Sequence, residues 1–145
     1  QRAIMDGAAE TGVSIMVLTE GMDEGPVLAS EALAIGPTDT TASVGERLAE
    51  VGARLLVATL PGYVAGTIPP QEQDHAAATY ASKLTPEDAR IDWSWEAERI
   101  DPFVRGLDPF PGAWSTLLGK RLKVAAVEVA ADGPSAFAAS PCSRT

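Results

Sequence analysis

Gly12-Val13-Ser14-Ile15-Met16-Val17-Leu18, then Glu20-Gly21-Met22-Asp23-Glu24-Gly25-Pro26, then Val27 to Ile35, is the stretch that decides the fold class. The first run is apolar and β-rich and reads as a buried strand. The second holds an acidic pair flanked by two glycines and a proline, which makes it a loop. The third reads as a second strand, antiparallel to the first and near a sheet edge. Upstream, Gln1 to Ala8 is compatible with the end of a helix closed by Gly7. Downstream, Gly36-Pro37-Thr38-Asp39-Thr40 breaks the chain before a helix. Strand, loop, strand and helix in this order give an α/β segment.

The helix after residue 40 carries Val44, Leu48, Val51 and Leu55 at steps of four, three and four, one apolar stripe. Ser43-Val44-Gly45-Glu46 has capping-box spacing, with Thr41 as a competing N-cap. Pro61-Gly62 is expected to bend or end the helix, and Gly66 closes the segment. From Thr67 to Leu84 there is no sustained period, and two prolines are adjacent, so this is the linker candidate. Thr85-Pro86-Glu87-Asp88 is a second helix-start signature, opening a short turn. Ser94 can cap a further helix carrying Ile100, Phe103, Val104 and Leu107, which Asp108-Pro109-Phe110-Pro111-Gly112 ends. Trp114 to Leu118, a Gly119-Lys120 turn and Leu122 to Val129 read as a β-hairpin. Residues 131–145 are small and polar without a period and are expected to be a disordered tail.

Composition narrows the class. The 145 residues are 46% hydrophobic and 21% charged, and their mean hydropathy is +0.04, which is globular composition. One cysteine, Cys142, excludes an internal disulfide, so a reducing, cytoplasmic setting is the expectation. His75 and Cys142 cannot form a Cys/His zinc site. No apolar run approaches the roughly 20 residues that span a bilayer, and no signal-peptide pattern opens the chain. The first residue is Gln1 rather than Met, a hint that the natural protein begins further upstream. The net charge is −9, divided as −11 over residues 1–98 and +2 over residues 99–145. Such a split marks either two modules with different partners or a chance surface gradient.

Few side chains carry chemistry by pattern alone. Asp23 and Glu24 are either turn residues or a carboxylate at the mouth of a sheet, where α/β enzymes place chemistry. A carboxylate there can orient a histidine or relay a proton. No Ser-His-Asp set, phosphate loop or Walker pattern is present. His75 falls in the linker and reads as solvated. Lys120, Arg121 and Lys123 read as a solvated hairpin edge rather than an RNA contact. Trp93, Trp95 and Trp114 read as core or interdomain packing rather than base-stacking platforms.

Five segments carry a resemblance. Thr11-Gly12-Val13-Ser14-Ile15-Met16 with Glu20 to Leu28 is similar to the end of a 10-formyltetrahydrofolate-dependent formyltransferase domain. Ala78-Thr79-Tyr80-Ala81-Ser82-Lys83-Leu84, Ala89-Arg90-Ile91-Asp92-Trp93 and Arg105-Gly106-Leu107-Asp108-Pro109-Phe110-Pro111-Gly112-Ala113 follow in order. Together they resemble the methionyl-tRNA formyltransferase family, from Gln1 to about Ala130. The resemblance implies a partial Rossmann-like formyltransferase domain over residues 1–66, a linker over 67–89 and the start of an OB-like β-barrel domain over 90–130. It implies formyl transfer from 10-formyltetrahydrofolate to the methionine α-amine of initiator methionyl-tRNA, by a monomer, with no metal and no membrane.

Asp23 matches the family's catalytic Asp, which sets the protonation and orientation of a His and helps relay protons. Backbone groups of Glu20, Gly21, Met22 and Asp23 would line the pterin pocket. The basic C-terminal portion then gains a candidate cause: Lys83, Lys120, Arg121 and Lys123 would meet tRNA phosphates. The family's Asn and His lie upstream of the Gln1-Arg2-Ala3-Ile4 segment, so the 145 residues alone are expected to be inactive. Beyond Asp132 the sequence leaves the family pattern, as truncation or a frame change would produce. A barrel cut there has open edges and too few strands, which predicts poor folding. Two alternatives are a formyl-folate enzyme with water or an amino sugar as acceptor, and a noncatalytic binding remnant.

Overall fold

Glu10–Met16 (β1) and Val27–Ala34 (β2) pair antiparallel, with Thr11 opposite Leu33, Val13 opposite Glu31 and Ile15 opposite Ala29. The computed structural model describes residues 1–130; the expected tail at 131–145 lies outside the described residues. Exposure along β1 alternates, so Thr11, Val13 and Ile15 turn towards the helix behind the pair while Gly12 and Ser14 face out. The strand expected as buried is therefore half-buried. It starts at Glu10 and ends at Met16, and Leu18 is 86% exposed. Only one face of this two-stranded ribbon is covered, and alternation follows from that.

The covering element is α2, Thr41–Val64, which follows the four-residue α1, Arg2–Met5. Its cap differs from the expected one. Thr40 is the N-cap, accepting from the Ser43 backbone N–H, while the Ser43 hydroxyl accepts from the Thr40 N–H. The box is thus Thr40 with Ser43, one position ahead of Thr41, because a serine at the third helical position can close it as Glu or Gln usually does. Val44 is buried and Leu48, Val51 and Leu55 are half-buried, so the predicted stripe is the packed one. Gly52 lies under Val13; a Cβ there would stand 3.3 Å from the valine Cγ1. The helix also passes through Pro61 instead of ending there. Val57 sits on an exposed side, where water can satisfy the carbonyl that Pro61 leaves unpaired. Termination comes at Gly66, with a φ of +71°.

Residues 67–89 contain a 3₁₀ turn, His75–Ala77, and one isolated bridge, Gln71 with Val27. The next element, α3, runs Ala97–Leu107 and packs on α1. Ser94 does not cap it: Glu96 is the N-cap, and the Ser94 N–H and hydroxyl both bind Asp92 Oδ1. Ile100, Phe103, Val104 and Leu107 form a core with Ala89, Ile91 and Ala113, bordered by Met5, Leu84, Trp95 and Trp114. Two ties run from α3 to the first segment: Arg105 Nη1 donates to the Asp39 carbonyl at 2.7 Å, and the Thr41 hydroxyl donates to the Gly106 carbonyl at 2.6 Å. Gly106 is required there, since a Cβ would stand 2.5 Å from Met5 Cγ and 3.0 Å from two backbone atoms.

Trp114–Leu117 (β3) and Lys120–Lys123 (β4) form the second antiparallel pair. Its turn is Leu118-Gly119, at φ +49° and +76°, rather than Gly119-Lys120. The strand ends at Lys123, six residues short of the expected Val129: Val124 donates once more, to Ala113, and residues 125–130 leave the ladder. Among the described residues there are thus two separate two-stranded sheets and no barrel. Of the three tryptophans, Trp95 packs edge-on against Phe103 at 5.1 Å and Trp114 is half-buried. Trp93 departs from the packing expectation; it is 58% exposed, its indole N–H bonded to the Ser115 hydroxyl.

Candidate active site

The loop between β1 and β2 is built from the strand ends inward. The Val17 N–H donates to the Pro26 carbonyl at 2.9 Å, closing the loop one step beyond the strands. Gly25 is buried at this neck, so close to Val17 that a Cβ would stand 1.7 Å from its carbonyl oxygen. No other residue fits. Asp23 projects at the tip with a φ of +55°, a conformation that Asp tolerates better than most residues. Met22, Asp23 and Glu24 are all exposed, and the Glu24 carboxylate folds back over Gly21. Among the described residues, the backbone N–H groups of Thr19 to Met22 donate to no other backbone group. Glu20, Gly21 and Met22 therefore present unclaimed donors beside Asp23.

The chain returns to this loop fifty residues later. Val27 N–H donates to the Gln71 carbonyl at 2.7 Å, and Gln71 N–H donates back at 2.9 Å. Two residues on, Gln73 Nε2 donates to the carbonyls of Asp23, at 2.8 Å, and Gly25, at 2.6 Å. Asp74 then caps the 3₁₀ turn through the Ala76 N–H. The result is an open cleft of about 640 Å³ with Met22, Asp23, Gln73, His75 and Tyr80 among its lining residues. His75 is exposed as expected, and this part of the linker lies beside the acidic loop. Neither its position nor that of Gln73 has a signal in the sequence.

The basic candidates separate into two places. Lys83 lines a different cleft, with Gln1, Arg2 and Phe110. Lys120, Arg121 and Lys123 are exposed along β4. The Arg121 guanidinium lies 4.2 Å over the Trp114 ring, and that of Arg90 lies 5.7 Å from the same ring. Arg99 stacks at 3.9 Å on Trp95. Of these three stacked arginines, Arg121 is a sequence candidate; Arg90 and Arg99 are not. Away from the cleft, Asp39 accepts from the Gly36 N–H at 2.7 Å and from Ser43, and pairs with Arg47. These donors hold its carboxyl below the usual carboxylate range, the Gly36 bond first. No group of His, Cys, Asp or Glu that could hold a metal occurs among the described residues. No described helix is long and apolar enough to cross a membrane.

Comparison with known proteins places this geometry. Residues 1–60 match the family model "Formyl transferase", and residues 83–141 match "Formyl transferase, C-terminal domain". The chain is 50% identical over 123 residues to a methionyl-tRNA formyltransferase of Heliobacterium modesticaldum, covering 85% of this chain and 39% of that protein. It is 48% identical over 130 residues to the methionyl-tRNA formyltransferase of Paracoccus denitrificans, covering 90% of this chain and 43% of that protein. The chain spans about two fifths of the length of the curated relatives it matches. Among solved structures, HypX from Aquifex aeolicus in complex with tetrahydrofolic acid superposes with a TM-score of 0.70 at 26% identity, covering 83% of this chain and 21% of that one. The formyltransferase fold, with its α/β content, is the one shared. With both models matched in order along one chain, this protein belongs to the formyl transferase family.

Proposed function

We propose that this chain is part of an enzyme that moves a formyl group from 10-formyltetrahydrofolate to the methionine α-amine of initiator methionyl-tRNA. The observation that carries the reading is the Asp23 loop, pinned at Gly25 and Gln73 and opening on a wide cleft, in a chain whose relatives bear that name. When bound, the folate supplies an activated formyl carbon, and its transfer to an amine needs a donor for the formyl oxygen and a route for the amine proton. The free N–H groups of Glu20, Gly21 and Met22 suit a planar ring with its own acceptors, and the relative solved with tetrahydrofolic acid supports a folate beside them. Asp23 orients an imidazole and takes part in moving the amine proton. The chain contains no asparagine and its one histidine is His75. The family's Asn therefore comes from outside these 145 residues, and the resemblance implies the same for its His, so that the 145 residues are inactive alone.

Residues 1–66 are proposed as the end of the formyltransferase domain, 67–89 as the linker and 90–130 as the start of an OB-like domain. The matched models span 1–60 and 83–141, the second beginning inside the proposed linker and running past residue 130. Lys83, Lys120, Arg121 and Lys123 contact tRNA phosphates, and the enzyme is a cytoplasmic monomer. An acceptor assay tests the reading. The complete gene product containing this chain, given 10-formyltetrahydrofolate, is offered initiator methionyl-tRNA, an amino sugar or water alone. Formylated methionyl-tRNA is the expected product; formyl-sugar or free formate at a higher kcat/KM would overturn the assignment.

A further inference from the structure

We infer that Gln73 is a positioning residue, holding the Asp23 loop through its side-chain amide, so that the segment after α2 is a working part of the site. This rests on Asp23 being the catalytic carboxylate. Gln71 and Val27 exchange both backbone bonds, as a hydrogen-bonded antiparallel pair does. The next such pair along the ladder would be residue 73 with residue 25. No backbone bond forms there. Instead the Gln73 amide supplies both its N–H groups, one to the Gly25 carbonyl and one to the Asp23 carbonyl.

The two carbonyls flank Glu24, so one amide fixes the backbone on either side of it. That clasp holds Asp23 in its left-handed conformation at the cleft, in a loop that, among the described residues, is otherwise closed only by the Val17 to Pro26 bond. Gln73 is half-buried, whereas Gln71, Glu72 and Asp74 beside it are exposed. The chemistry demanded at this position is a planar group with two donors and no need for charge. Glutamate has the same shape but, ionised, offers only acceptors and would repel both carbonyls.

Gln73→Glu and Gln73→Ala test this at two levels. In the complete gene product, amide hydrogen exchange at Val17, Val27 and Gln71, whose N–H groups bond across the neck of the loop, should quicken tenfold or more in both variants, while α2 amides keep their protection. In the complete gene product, kcat for formylation should fall at least tenfold. KM for initiator methionyl-tRNA should stay within about threefold, and the pH–rate limb that Asp23→Asn removes should move. Unchanged loop exchange overturns the clasp, as does a kcat within threefold of the parent. Asp23→Asn, assayed in parallel, separates the two ideas. If it keeps full activity, the role of Asp23 fails, and the exchange data still decide whether Gln73 holds the loop.

Discussion

Alanine at Gly25 probes the neck of the Asp23 loop at its tightest point. The added Cβ would stand 1.7 Å from the Val17 carbonyl oxygen and 2.9 Å from its carbonyl carbon, both backbone atoms that no rotamer change can move. The strand ends must part by more than an ångström. Parting them breaks the Val17 to Pro26 bond and stretches the Gln73 to Gly25 bond, together about 1–3 kcal/mol at 0.5–1.5 kcal/mol each. Overpacking adds about 1–3 kcal/mol, so the expected loss is about 2–6 kcal/mol. Gly45→Ala is the internal control. It lies in α2 with nothing within 4 Å of a Cβ, and should stabilise by about 0.5–1 kcal/mol through helix propensity. Urea unfolding followed by far-ultraviolet circular dichroism reads both. A Gly25→Ala variant within about 0.5 kcal/mol of the parent would refute the close approach and the loop geometry built on it.

Three other outcomes are expected. The Asp39 carboxyl has a folded pKa below its unfolded value, so its stabilisation is present above the unfolded value, about 3.9, and is lost as pH falls through the lower folded one. Asp39→Asn should therefore flatten the fall in thermal midpoint below about pH 4, and an identical acid limb in the variant would argue against it. Leu118 is 94% exposed at a φ of +49°, so Leu118→Asn should stabilise the hairpin by up to about 1 kcal/mol, read as a raised midpoint. In the complete gene product, neutralising Lys83, Lys120, Arg121 or Lys123 should each reduce the salt slope of tRNA binding by up to about one; an unchanged slope removes that residue from the interface.

The parts of this fold that a linear reading reaches are those with a local cause. Val13 to Met16 and Val27 to Ala34 have β-rich runs broken by Gly25-Pro26, and Val44 to Leu55 has helical spacing, so strands, loop and helix were legible. Where two local signals compete, the reading slipped by a residue or a few. Ser43 closes a box with Thr40 instead of opening one with Glu46, and Pro61 is absorbed because its neighbourhood is solvated. Asp23 could be singled out through the family resemblance, since two acidic residues in a Gly-rich loop are also what any turn carries. Gln73 was illegible. Its partners are about fifty residues away, and only the return of the chain to the β2 edge brings its amide to the Asp23 and Gly25 carbonyls.

The measurement that bears most directly on formyl transfer at the Asp23 loop is the rate of initiator methionyl-tRNA formylation by the complete gene product and its Asp23→Asn variant. Asparagine keeps the shape and removes the charge and the proton-accepting oxygen. Loss of general acid–base assistance predicts a fall in kcat of about 10²–10⁴-fold with folate affinity nearly unchanged. A variant that formylates methionyl-tRNA within threefold of the parent rate would contradict the role assigned to Asp23.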